Sequence, residues 1–260
     1  MANKLRQLWA DGHAVVNGWL AIPSAFAAET IASCGFDTVT VDLQHGVQDY
    51  LSMVACFQGM NAAPITPMVR VPWNEPGIIG KVLDGGAMGV ICPMINTADQ
   101  ARALVSYAKY PPMGARSNGP IRAGTIGVYA GGGYQATAND ETVILPMIET
   151  REAMANLDSI LDVPGVAGVY VGPSDLGFSH GLAPLLDREE PEMLRMFDTI
   201  IAAAEKRGLH AGVHCGTAAY AARALGMGFR LVSLLSDVGL MRAAALAGVQ
   251  HIRAHSNGLA

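Results

Sequence analysis

Asp42 with His45, Arg70, Glu149 and Asp175 each stand at or just beyond the end of a short apolar run, in four separate parts of a 260-residue chain. Glu149 closes the run Ile144-Leu145-Pro146-Met147-Ile148, and Asp175 follows Val169-Tyr170-Val171-Gly172-Pro173-Ser174. Two carboxylates without clustered His or Cys suit a hard, oxygen-preferring divalent ion: magnesium or manganese, with cobalt a further candidate. Two protein ligands leave about four octahedral positions for substrate and water, as catalysis needs. The alternative for Glu149 is an ordinary ion pair with Arg151 or Arg70.

Histidine is the side chain suited by type to general acid-base work, and Asp42, three residues before His45, can orient its ring. Arg70 offers a permanent forked cation that can stabilise a developing enolate oxygen. Taken singly, each has a plainer reading: a charged residue in a solvated loop, a structural histidine, a salt bridge across a rim. His214 either faces the substrate or merely packs. A Schiff-base mechanism is not expected, because Lys4, Lys81, Lys109 and Lys206 all fall in predicted helices or at helix ends.

For these residues to meet, the elements carrying them must converge. Apolar β-branched runs alternate with stretches of helical period, the pattern of strand-helix units around a parallel sheet. Eight strands are predicted, at 15–22, 38–42, 66–71, 89–94, 143–148, 166–172, 211–215 and 231–235. Helices are predicted at 24–34, 50–61, 76–85, 98–109, 152–161, 192–207, 217–227 and 238–247. Eight such units in one chain predict a single (β/α)8 barrel domain over 1–260, whose strand C-termini gather site residues on one face. A doubly wound sheet would want a glycine fingerprint directly after its first strand, and none is there. The long irregular stretch from Tyr110 to Glu141, with Gly131-Gly132-Gly133, is expected to be a flexible cover over the barrel mouth.

Composition narrows the partners. The chain is 51% hydrophobic and 15% charged, enough for one large core, and its net charge of -5 comes without a Lys/Arg cluster interleaved with aromatics. A small-molecule partner is expected, with neither nucleic acid nor membrane. Cys34, Cys56, Cys92 and Cys215 form no Cys-x-x-Cys pair and read as buried thiols of a reducing, cytoplasmic compartment. Lys4 and Arg6 before the apolar stretch 14–28 imitate a signal peptide, but Asp11, His13, Asn17 and Pro23 interrupt it. Gly172-Pro-Ser174-Asp-Leu-Gly177 has one residue too many for a nucleophile elbow. Gly131-x-Gly133-x-x-Ala136 matches a dinucleotide fingerprint only loosely and is read as loop.

Read together, these residues resemble the HpcH/HpaI aldolases, metal-dependent class II aldolases acting on pyruvate. The matching pieces are Gly18-Trp19-Leu20, Val41-Asp42-x-x-His45, Val69-Arg70-Val71-Pro72-Trp73-Asn74, Leu83-Asp84-x-Gly86-Ala87 and Pro93-Met94, followed by Tyr110-Pro-Pro-x-Gly114-x-Arg116, Ile148-Glu149-Thr150-Arg151-Glu152-Ala153 and Gly172-Pro173-Ser174-Asp175-Leu176. The resemblance implies that Glu149 and Asp175 bind the metal, Arg70 contacts the keto or enolate oxygen, and Asp42 with His45 forms an acid-base dyad. It implies that the Ser174 and Asp175 amides hold the substrate carboxylate within the Gly172-Pro173-Ser174 turn. It also implies a homo-hexamer with an exchanged C-terminal helix, in which Asp84 reaches a neighbouring subunit's site. Gln44 stands where many members carry Glu, as in the branch of hydroxyketoacid aldolases that use pyruvate or hydroxypyruvate with varied aldehydes. Acceptor choice is expected from Trp19, the segment 116–124 and the surroundings of His214. The alternatives are an acyl-CoA lyase of the citryl-CoA or malyl-CoA type, which would need a basic CoA groove, and a non-catalytic metal-binding assembly protein.

Overall fold

In the computed structural model, which describes residues 3–125 and 133–256, eight parallel strands close into a barrel in sequence order. The strands are β1 (Val15–Leu20), β2 (Thr38–Asp42), β3 (Thr66–Arg70), β4 (Gly89–Cys92), β5 (Val143–Ile148), β6 (Gly168–Val171), β7 (His210–Cys215) and β8 (Leu231–Leu234). The first half of the outer layer holds α1 (Lys4–Ala10), α2 (Ala25–Ala32), α3 (Tyr50–Met60), α4 (Pro76–Asp84), α5 (Ala98–Ala108), α6 (Ile121–Thr125) and α7 (Tyr134–Glu141). The second half holds α8 (Arg151–Ala155), α9 (Leu157–Leu161), α10 (Pro173–Ser179), α11 (Pro191–Glu205), α12 (Ala218–Met227) and α13 (Asp237–Ser256). Closure is made by β1 on β8, with Val15 opposite Leu231. This is the predicted (β/α)8 barrel.

Period-two alternation sorts the strand residues into two cores. Val15, Trp19, Met68, Ile91, Leu145, Met147, Tyr170 and Leu231 form one cluster inside the barrel. Residues of the opposite phase, such as Val39, Val41, Val69, Val90, Val169 and Val213, pack outward under the helices. The interior also holds polar groups, and they are satisfied internally. Asn17 Oδ1 accepts from the Thr38 and Thr40 hydroxyls at 2.7 and 3.1 Å, and its Nδ2 donates to Ser233 Oγ at 2.7 Å.

Several expectations need correcting. Strand β4 stops at Cys92, because Pro93 follows and Met94 turns into the left-handed region at φ 56°. The predicted helix 152–161 is two, α8 and α9, broken at Asn156, whose Nδ2 donates to the Asn96 carbonyl at 2.8 Å. The apolar stretch 14–28 is divided between β1 and α2, and the residues ahead of the first strand form a helix, α1. Asn3 caps this helix by accepting from Leu5 N–H at 3.0 Å, and Leu5 and Trp9 plug the barrel's N-terminal end from the inner cluster. Cys34 is exposed, unlike Cys56, Cys92 and Cys215.

The stretch 110–141 does not cover the mouth where it is described. Tyr110, Ala123, Tyr134 and Ala138 pack around Met88, the residue before β4, at the opposite end of the barrel from the strand C-termini. Gly131 and Gly132 lie outside the described residues. Among the described residues no helix is long and apolar enough to cross a membrane.

Candidate active site

Each inward-facing series gains one more residue at the C-terminal rim, and those residues build the site. Stepping two positions along six strands leads from Asn17 to Trp19, Thr40 to Asp42, Met68 to Arg70, Met147 to Glu149, Tyr170 to Gly172 and Gly212 to His214. All six end points, with His45, Pro173, Ser174 and Asp175, line one cavity of about 490 Å³. Gln44 and Asp84 are not among its lining residues. Asp84 ends α4 and pairs with Arg116 Nη2 at 2.6 Å, beside a separate surface hollow.

Asp42 is the anchor. Its Oδ1 accepts from Arg70 Nε at 2.8 Å and from the Gln44 and His45 amides at 3.0 and 3.3 Å. Its Oδ2 accepts from Arg70 Nη2 at 2.5 Å and Trp19 Nε1 at 3.2 Å. Burial acts to raise its pKa, but Arg70, Trp19 and the His45 amide outweigh burial and hold it below the usual carboxylate value. The guanidinium carbon of Arg70 lies 4.9 Å from the Trp19 ring centroid, a cation-π contact that fixes the same fork from the other side. Asp42 therefore grips His45 by its backbone; among the described residues no hydrogen bond joins its carboxylate to the imidazole, which stands exposed at the mouth.

Glu149 is buried just past β5, and its Oε1 accepts from Met94 N–H at 2.7 Å. The left-handed turn of Met94 aims that amide inward, a strained conformation of the kind found at functional sites. Burial and the charge of Asp175 push the Glu149 carboxyl up to about 7, against the opposing pull of the Met94 amide and Arg70. Among the described residues no salt bridge joins Glu149 or Asp175 to a basic side chain. A divalent ion fits the residues present: a Cβ on Gly172 would lie 2.4 Å from Glu149 Oε2, so only glycine leaves room for the carboxylate there. Among the described residues no group of three or more His, Cys, Asp or Glu side chains could hold a metal, so this carboxylate pair would leave most of the coordination sphere to substrate and water. Asp175 sits in the first turn of α10, whose Ser174 and Asp175 amides precede the first intrahelical bond, from Leu176 N–H to Gly172 O at 2.9 Å.

His214 closes the inner wall. Its Nδ1 lies 3.1 Å from the Tyr170 hydroxyl, which bonds Ser233 Oγ at 2.7 Å and so joins the Asn17 network below. Burial, with help from the Arg70 charge, lowers its pKa to about 4, so the ring is neutral at physiological pH.

Some lining residues escaped the sequence reading. Met147 and Tyr170 are in phase with Glu149 and Gly172, so alternation alone would have found them. Leu186, Leu235 and Ser236 are set by loop geometry and carry no motif. Asp237, also missed, ties the rim of β1 to α13 by accepting from the Ala21 and Ile22 amides at 2.8 and 3.1 Å.

A sequence profile described as HpcH/HpaI aldolase/citrate lyase matches residues 17–244. The chain is 38% identical over 252 residues to a hydroxypyruvate/pyruvate aldolase of Rhizorhabdus wittichii, covering 97% of this chain and 99% of that one. It is 33% identical over 257 residues to a 4-hydroxy-2-oxo-heptane-1,7-dioate aldolase of Salmonella dublin, covering 99% and 97%. The crystal structure of an HpcH/HpaI aldolase/citrate lyase family protein from Burkholderia cenocepacia superposes with a TM-score of 0.89 at 28% identity, covering 97% of this chain and all of that one. The match spans nearly every strand that contributes to the cavity, and the chain belongs to the HpcH/HpaI aldolase/citrate lyase family.

Proposed function

We propose that this protein is a divalent-metal-dependent class II aldolase. It reversibly cleaves 4-hydroxy-2-oxo acids to pyruvate or hydroxypyruvate and an aldehyde. The observation that carries the reading is the Glu149 carboxylate, buried beside the Asp175 charge in a cavity that also holds Arg70 and the first turn of α10. Glu149 and Asp175 would hold magnesium or manganese, the hard ions their oxygens suit, and the bound ion would supply Lewis-acid polarisation of the donor's keto group.

The chain's own residues account for the rest. The Ser174 and Asp175 amides would receive the donor carboxylate at the positive end of α10. Arg70, its fork locked by Asp42, would present its remaining N–H groups to the keto oxygen and stabilise charge developing there. His45 would take the C3 proton; the C3–H electron pair becomes the C2–C3 double bond, and charge moves onto the keto oxygen. When C3 attacks the aldehyde carbon, the new alkoxide takes the proton back from His45, and cleavage runs in reverse with no net redox change. Asp42 acts as a positioning residue, because its oxygens are already committed to Arg70, Trp19 and two amides.

We further propose a cytoplasmic homo-hexamer with α13 exchanged between subunits. Met241, Leu246, Val249 and Ile252 on α13 are exposed, an apolar burden a lone subunit would not carry, and the four free thiols suit a reducing compartment. In that assembly Asp84, held by Arg116, would serve a neighbour's site.

The test is exchange of the pyruvate C3 protons in deuterated buffer, followed by NMR. Exchange that needs a divalent ion and is lost in Glu149→Gln supports the reading. Absence of exchange with every divalent ion tried contradicts it.

A further inference from the structure

The donor groups described above occupy one side of the cavity, on β3, β5 and β6. Across the mouth, on the β7-β8-β1 side, the wall is different: Leu186 and Leu235 line it beside His214 and Ser236, and both leucines are held in place by their neighbours.

Leu186 is clamped from both flanks. On one, the Asp187 carboxylate accepts from Gly216 N–H at 2.6 Å and from the Thr217 hydroxyl at 2.7 Å, fastening the segment to the end of β7. On the other, Arg188 is wholly buried beneath α10, where a Cβ on Gly177 would lie 2.6 Å from its guanidinium, and it pairs with Glu190 at 3.0 Å. Leu235 is held in the left-handed region at φ 45°, unusual for a branched side chain. Its amide donates to the Cys215 carbonyl at 2.8 Å, and its side chain packs where a Cβ on Gly239 would stand, 2.4 Å away.

Charge on this wall is accounted for. Among the described lining residues Arg70 is the one guanidinium or ammonium group; its Nε and Nη2 are committed to Asp42, and its remaining N–H groups belong to the donor side. Arg188 lies under α10 against Gly177, and the residue that follows Leu186 is Asp187, whose carboxylate bonds the end of β7. A second carboxylate on the substrate would be drawn out of water there with no guanidinium or ammonium partner on the wall, meeting uncharged groups such as the Ser236 hydroxyl instead.

We propose that the acceptor aldehyde taken by this site is uncharged and aliphatic, not one ending in a carboxylate, and that Leu186 and Leu235 select it. The inference rests on the aldolase reading and narrows its substrate class. The test compares kcat/KM for butanal and succinic semialdehyde, two four-carbon aldehydes differing in a terminal carboxylate, with pyruvate as donor and the metal-loaded enzyme. Butanal is expected to be favoured by about tenfold or more. In Leu186→Arg the ratio is expected to move about tenfold toward the semialdehyde. Equal or better use of succinic semialdehyde by the unmodified protein overturns the proposal, whatever becomes of the variant. An unchanged ratio in folded Leu186→Arg removes Leu186 as selector. If neither aldehyde reacts while pyruvate C3 exchange persists, the acceptor proposal falls alone; if exchange is also absent, the aldolase reading falls with it.

Discussion

Arg70 and Asp42 meet fork to fork, Nε on Oδ1 at 2.8 Å and Nη2 on Oδ2 at 2.5 Å, with Trp19 against both. The pair joins the rims of β2 and β3, so a buried anion sets the orientation of the guanidinium at the cavity wall. Asp42→Asn keeps the shape but removes the charge, leaving Arg70 desolvated and unpaired. Stability should fall by about 3 kcal/mol, and kcat/KM by about a hundredfold through misplacement of Arg70. Urea unfolding and steady-state kinetics check the two effects. A loss of activity with unchanged stability would count against the anchoring role.

Glycine at position 172 is required by the Glu149 carboxylate rather than by backbone strain, since its φ of -95° suits any residue. Gly172→Ala should therefore fold, with circular dichroism unchanged, yet bind manganese about tenfold or more weakly as the carboxylate is displaced. Manganese titration followed by electron paramagnetic resonance measures this directly.

Two buried groups should oppose each other in the metal-free protein. His214, lowered from 6.5 to about 4, refuses a proton that the unfolded chain accepts, so stability rises with pH between those values by about 3 kcal/mol. Glu149, raised from 4.5 to about 7, keeps a proton the unfolded chain has lost, so stability falls by about 3 kcal/mol as pH rises through that range. Chemical unfolding at pH 4 to 7 should give a nearly flat profile for the metal-free parent. His214→Gln should expose the falling limb and Glu149→Gln the rising one.

Because Glu149 holds a proton up to about pH 7 in the metal-free state, metal uptake should release it. Calorimetry at pH 6 in buffers of different ionisation enthalpy should show close to one proton released per ion, falling through pH 7 to near zero above pH 8. Glu149→Gln should bind no ion under the same conditions.

What the sequence disclosed follows from how each feature is encoded. Asp42, Arg70, Glu149 and His214 were legible because a strand of period two ending in a charged or polar residue marks both the barrel and its active face. The role of Asp42 was not, since spacing from His45 cannot reveal that Arg70, 28 residues on, takes both its oxygens. The left-handed turns at Met94 and Leu235 were invisible because neither is glycine, and tertiary contacts impose them. Helix α1 has only seven residues, and its apolar Leu5 and Trp9 are buried by the barrel end they pack on rather than by any local pattern. The stretch 110–141 looked like a lid because length and glycine content say nothing about which end of a barrel a segment packs on.

The central claim is that this site makes and breaks a carbon-carbon bond with the help of a divalent ion held by Glu149 and Asp175. Its most direct test is release of pyruvate from a 4-hydroxy-2-oxo acid, coupled to lactate dehydrogenase, using chelator-treated protein before and after magnesium or manganese is added. The account predicts no release from the stripped protein and restored release with either ion in the parent but not in Glu149→Gln. Full activity in the stripped protein, or no release with any ion across several chain lengths, would contradict it.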